Sequence, residues 1–81
     1  MLIKSLDSQV VINTDTMTSM YVDRREKTIY CIITYSEDEI VCILGNFETE
    51  DITQQVFDEL CKCIRDGKRF AAIKNDKIEA I

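Results

Sequence analysis

The sequence predicts an α+β domain: an antiparallel sheet of about five strands in meander order, then one amphipathic helix over residues 50–66 packed on one face, with Phe70–Ile73 as a candidate short C-terminal strand. Three observations carry this prediction. Thr28–Tyr35 (TIYCIITY) and Ile40–Leu44 (IVCIL) are rich in β-formers and apolar at both parities, as strands are that have cover on two sides. Polar turn-formers punctuate the first half of the chain at short intervals. Only residues 50–66 repeat apolar side chains at helical spacing.

Taken in order, Met1–Leu6 reads as a first strand and Asp7-Ser8 as a turn into Gln9–Asn13. Asn13-Thr14-Asp15-Thr16 favours a further turn, because these side chains bond back to nearby backbone. Met17–Asp23 reads as a third strand, Arg24–Lys27 as a polar connection, and Thr28–Tyr35 as the strongest strand. Ser36–Glu39 links it to Ile40–Phe47, and a short hairpin loop there would bring Cys31 and Cys42 close to facing positions. Gly45-Asn46 suits a bulge or a strand exit.

The helix start is well marked. Thr49 is a candidate N-cap, Glu50 and Asp51 place negative charge in the first turn, and Ile52, Val56, Leu60 and Ile64 share one face. Phe57 and Cys61 lie to one side and widen that stripe. Lys62 and Arg65 suit the C-terminal end, and Gly67 can take the left-handed conformation that stops a helix. Phe70–Ile73 either closes the sheet or packs irregularly, Asn75-Asp76-Lys77 reads as a turn, and Ile78, Ala80 and Ile81 end the chain with apolar side chains.

With 81 residues the chain is expected to form a single domain over residues 1–81, and a domain of this size has a small core of its own. Hydrophobic residues make up 46% and charged residues 31%, a balance that favours folding over disorder. No apolar run is long enough to span a bilayer and the first residues do not resemble a secretion signal, so a cytoplasmic location is expected. In that reducing setting Cys31, Cys42, Cys61 and Cys63 are expected to be free thiols acting as small core residues. Cys61 and Cys63, two apart on a helix, point about 200° apart and cannot jointly hold one metal ion.

The chemistry the chain lacks narrows its function. Without histidine, histidine triads and His-ligated metals are excluded. Gly45 and Gly67 are the only glycines, too few for a phosphate-binding loop or a dinucleotide fingerprint. A formal charge of −5 disfavours binding to a phosphate backbone. No catalytic residue, metal or cofactor is expected, and the chain reads as a non-enzyme.

One shortage points to partners. A single helix about 10 Å across cannot blanket both faces of a sheet. If Ile29, Cys31 and Ile33 face the helix, Tyr30 and Ile32 lie on the second face with Val41 or Ile43 of the neighbouring strand. Either the chain's tail or another chain must cover them. Tyrosine suits such an interface because it joins an apolar body to a polar tip.

Ile3-Lys4-Ser5, Leu44-Gly45-Asn46-Phe47, Val56-Phe57-Asp58-Glu59-Leu60 and the terminating Gly67 resemble small uncharacterised proteins of Gram-positive bacteria and their phages and mobile elements. Leu2 stands where those proteins often carry a tryptophan. The family has no established activity, so the resemblance implies a genomic setting and transfers no functional residue.

Two functions are therefore expected to compete. The leading one is a self-associating binding protein, a homo-dimer or larger, that joins through Tyr30, Ile32, Val41 and Ile43. It would present the acidic groups Glu37, Asp38 and Glu39, or Glu48, Glu50 and Asp51, to a host protein, as a phage or mobile-element inhibitor would. The alternative is an oligomer that holds a small anionic ligand such as a nucleotide at a subunit boundary, through Arg24, Arg25 and Lys27, or Lys68 and Arg69, since arginine binds phosphate in bidentate fashion. A reactive-thiol enzyme built on Cys61 or Cys63 is a third, more remote, reading.

Overall fold

The computed structural model describes all 81 residues and is α+β, with seven strands, one 3-10 turn and one helix. The strands are β1 (Leu2–Lys4), β2 (Val11–Asn13), β3 (Met17–Asp23), β4 (Thr28–Tyr35), β5 (Asp38–Asn46), β6 (Phe70–Ile73) and β7 (Ile78–Ala80); helix α1 spans Glu50–Arg65. They form two sheets rather than one five-stranded meander. The first is four-stranded in the order β2-β1-β6-β7, the second three-stranded in the order β3-β4-β5. The first sheet is mixed, because β1 pairs in parallel with β6 while its other neighbours are antiparallel.

The departure from a meander begins at the turn after β2. Asn13 Oδ1 accepts from the Asp15 N–H (3.0 Å) and the Thr16 hydroxyl donates to the Asn13 carbonyl (2.8 Å), closing the 3-10 turn Thr14–Thr16. The chain leaves that turn in a new direction, and β3 starts a second sheet instead of pairing with β2. The free side of β1 is then filled by β6, with Ile3 opposite Ala71. Phe70–Ile73 is thus an interior strand, and Ile78–Ala80 adds an edge strand beyond it.

Helix α1 begins and ends as its residues require. The Thr49 hydroxyl accepts the Ile52 N–H at 3.1 Å. At the other end Gly67 takes φ +71°, its N–H bonds to the Ile64 carbonyl and the Lys68 N–H reaches back to Cys63, a Schellman closure. The buried stripe is Thr53, Val56, Leu60 and Cys63, rotated from the expected one, since Ile64 and Cys61 are exposed. Thr53 tolerates burial because its hydroxyl donates to the Thr49 carbonyl (2.7 Å).

Both sheets and the helix share one core. Ile3, Ile12, Ala71 and Ile73 come from the first sheet, Ile29, Cys31 and Leu44 from the second, Val56 and Leu60 from α1, and Phe47 closes the junction. The helix touches β3, β4, β6 and β7, so it lies on the inner side of both sheets. No helix is long and apolar enough to cross a membrane.

Candidate functional site: the outer face and edge of the three-stranded sheet

The register of the second sheet sorts its side chains by face. Met20 pairs with Cys31 and Val22 with Ile29, which sends these four toward the core together with Cys42, directly opposite Cys31. The alternate rows point outward: Tyr21 opposite Tyr30, Tyr30 opposite Ile43, and Ile32 opposite Val41. Tyr30, Ile32, Val41 and Ile43 therefore share one surface. Tyr21 joins them, its ring stacked on that of Tyr30 with centroids 5.1 Å apart and planes at 19°.

Nothing in the chain covers this surface. Helix α1 occupies the opposite side, and residues 70–81 build β6 and β7 in the other sheet. None of the five outward side chains packs against the core; Val41 is 56% and Ile43 58% exposed, with Tyr21 at 41%, while Tyr30 and Ile32 on the central strand are half-buried between them. Together they leave on the order of 400 Å² of contiguous apolar surface, within the roughly 300–600 Å² of patches that often mark contact sites on small proteins.

A bulge shapes the site. Tyr30 faces Ile43 while Ile29 faces Gly45, so Leu44 is an extra residue that turns into the core. Asn46, at the strand end, holds the β3–β4 connection in place: its amide donates to the Glu26 carbonyl (2.9 Å) and the Thr28 hydroxyl (2.8 Å). The far end of β5 is a two-residue turn, Ser36-Glu37, with Ser36 at φ 61°.

The charged candidates fall at separate places. Glu37, Asp38 and Glu39 are exposed at the hairpin tip, and none forms an ion pair. Glu48, Glu50 and Asp51 lie at the start of α1, roughly 25 Å away at the rise of a β-strand, so the two acidic groups cannot act as one surface. Beside them is the turn holding Arg24, Arg25 and Lys27, where Arg24 reaches Asp51 at 3.7 Å. Lys68 and Arg69 follow the other end of α1, some 24 Å along its axis. The largest cleft, about 550 Å³, is lined by Leu6, Asn46, Phe47, Glu48, Ile52, Asn75 and Asp76, and presents carboxylates with no cation. Of the five basic candidates only Lys68 borders a cleft, where Lys62 joins it and Glu59 and Asp66 balance the two cations.

Three of the thiols are held above the ordinary cysteine value by their surroundings. Burial, and then the neighbouring Cys42, push the Cys31 thiol up to about 11. Cys61 is raised by burial and by Asp58; Cys63 is raised by burial and Glu59, which outweigh the lowering by Lys68 and Lys62. The cationic end of the helix therefore does not activate either cysteine. All four are free, and no cluster of His, Cys, Asp or Glu has metal-binding geometry.

Sequence reasoning missed two residues at this site and one apolar row on the other sheet. Tyr21 was readable, since Tyr21 alternates with Met20 and Val22 in β3. Ile40 has the core-facing parity of Cys42 but is 51% exposed. Leu2, Phe70 and Ile81 form a second outward apolar row across β1, β6 and β7, and only the parallel pairing brings them together. Comparison with protein-family models, curated proteins and solved structures found no match.

Proposed function

We propose that this protein is a small acidic interaction module without catalytic activity, which self-associates through the outer face of β3-β4-β5 and offers its hairpin tip to a partner. The supporting observation is the uncovered apolar surface of Tyr21, Tyr30, Ile32, Val41 and Ile43. A protein that leaves a stacked tyrosine pair partly open to solvent, flanked by isoleucine and valine, gains by burying it, and a two-fold contact presents the same patch on both sides. Glu37, Asp38 and Glu39 stand at the margin of that face, free to meet a basic surface on another protein. In the phage or mobile-element setting that the sequence resembles, the activity is occlusion of a host protein.

Two such faces contribute about 800 Å² between them, below the usual 1,200–2,000 Å² of a stable interface. The dimer is accordingly expected to be concentration-dependent. Light scattering on a sizing column should give a dimer at high concentration that dissociates on dilution, while Tyr30→Lys with Ile32→Lys stays monomeric and folded by circular dichroism. A wild-type monomer at every concentration, or a double variant of unchanged mass, would overturn the reading.

A further inference from the structure

Strand β5 carries backbone groups that no other strand uses. Tyr35 and Asp38 face each other across a two-residue turn, so Asp38, Ile40 and Cys42 exchange bonds with β4, and the N–H and C=O groups of Glu39 and Val41 point away from the sheet. The edge is closed only further on, where the Leu6 N–H donates to the Leu44 carbonyl at 2.8 Å. Along the open stretch the side chains are exposed on both faces, Ile40 on the helix side and Val41 and Ile43 on the outer side.

Exposed edges are normally guarded by charged side chains, lysine above all, by proline or by bulges. This one has no lysine and no proline, since no Lys or Arg occurs between Lys27 and Lys62 and the chain has no proline, and its bulge lies at Leu44, past the open stretch. Its only charges are the unpaired carboxylates of Glu37, Asp38 and Glu39.

Those charges decide what fits. A second copy paired antiparallel about Ile40, short of the Leu6 contact at Leu44, would leave the two Glu39 carboxylates roughly 8 Å apart, within one Debye length, and pairing about Glu39 would bring them closer still. The Asp38 and Glu37 groups of both copies would crowd the same place. A basic strand meets no such repulsion. We propose that the β5 edge receives an extended segment of a partner protein by strand addition, and that this segment alternates apolar residues with Lys or Arg. Its backbone satisfies Glu39 and Val41, its apolar side chains flank Ile40 or Val41, and its cations reach the hairpin tip. The proposal rests on the reading of the chain as a binding module, but it uses the strand edge where self-association uses the face.

The test is titration of the full-length protein with a soluble peptide of alternating valine and lysine, beside the same peptide N-methylated at every residue, which blocks both of its edges. The two carry equal charge, but only the first can pair as a strand. The unmethylated peptide should bind at least tenfold more tightly, slow the exchange of the Val41 amide hydrogen, and lose at least tenfold in affinity against Glu37→Lys/Asp38→Lys/Glu39→Lys. Val41→Pro, which removes an outward N–H and leaves the β4 ladder intact, should weaken it as well. Equal binding of both peptides, or binding of neither, would overturn the proposal. Loss of binding in Tyr30→Ser/Ile32→Ser, which adds no charge to repel the peptide, would also overturn it, by moving the site to the sheet face. Self-association is read from the mass alone, so either idea can fail without the other.

Discussion

Gly45 is the position where the smallest change should do disproportionate harm. A methyl group there would lie 2.7 Å from Phe47 Cζ, 2.9 Å from Cε2 and 3.2 Å from Leu6 Cβ. The phenyl ring is 6% exposed and part of the core, so it cannot swing aside without opening a gap or displacing Leu6. Overpacking of this kind costs about 2 kcal/mol. In a domain of this size each kcal/mol is about 4–8 °C, so Gly45→Ala should melt roughly 8–16 °C below wild type. Thermal unfolding followed by circular dichroism measures this directly. Adding Phe47→Leu supplies room, and the pair should be less harmful than the sum of its parts, with a coupling of at least about 0.5 kcal/mol. A melting temperature for Gly45→Ala within a few degrees of wild type would refute the steric argument, and with it the account of why the bulge can press β5 against Leu6 and Phe47.

The helix ends supply two smaller effects. Thr49→Ala removes the acceptor for the Ile52 N–H and should cost about 1 kcal/mol in denaturant unfolding. Gly67→Ala should cost about 1 kcal/mol through backbone strain alone, because φ is +71° and nothing lies within 4 Å of the added methyl; an unchanged midpoint would count against each. Burial raises the Cys31 pKa from 9.0 to about 11, so the unfolded chain releases its proton first. Stability from this group should be complete below pH 9 and decline as pH rises from 9 to 11, and Cys31→Ala should flatten that part of the profile. In the folded protein an alkylating probe should label exposed Cys61 first and Cys31 only on unfolding; early labelling of Cys31 would contradict its burial.

Sequence alone determined the local features of this chain. Met17–Asp23 and Thr28–Tyr35 have the boundaries that their polar flanks imply, the helix starts at the N-cap Thr49 and stops before Gly67, and Cys31 faces Cys42 across a short hairpin. Each of these depends on neighbours a few residues away, through capping bonds, side-chain alternation and turn geometry. Tertiary structure decided the rest. The pairing of Ile3 with Ala71 joins residues far apart in sequence, and no local pattern distinguishes it from a meander. That one parallel contact takes the tail into the first sheet, brings Leu2, Phe70 and Ile81 into a row, and leaves the Tyr30 face of the second sheet bare. Apolar side chains at both parities of β4 and β5 led to the expectation of cover on two sides; which side the chain itself covers followed only from where the helix and the last strands came to rest.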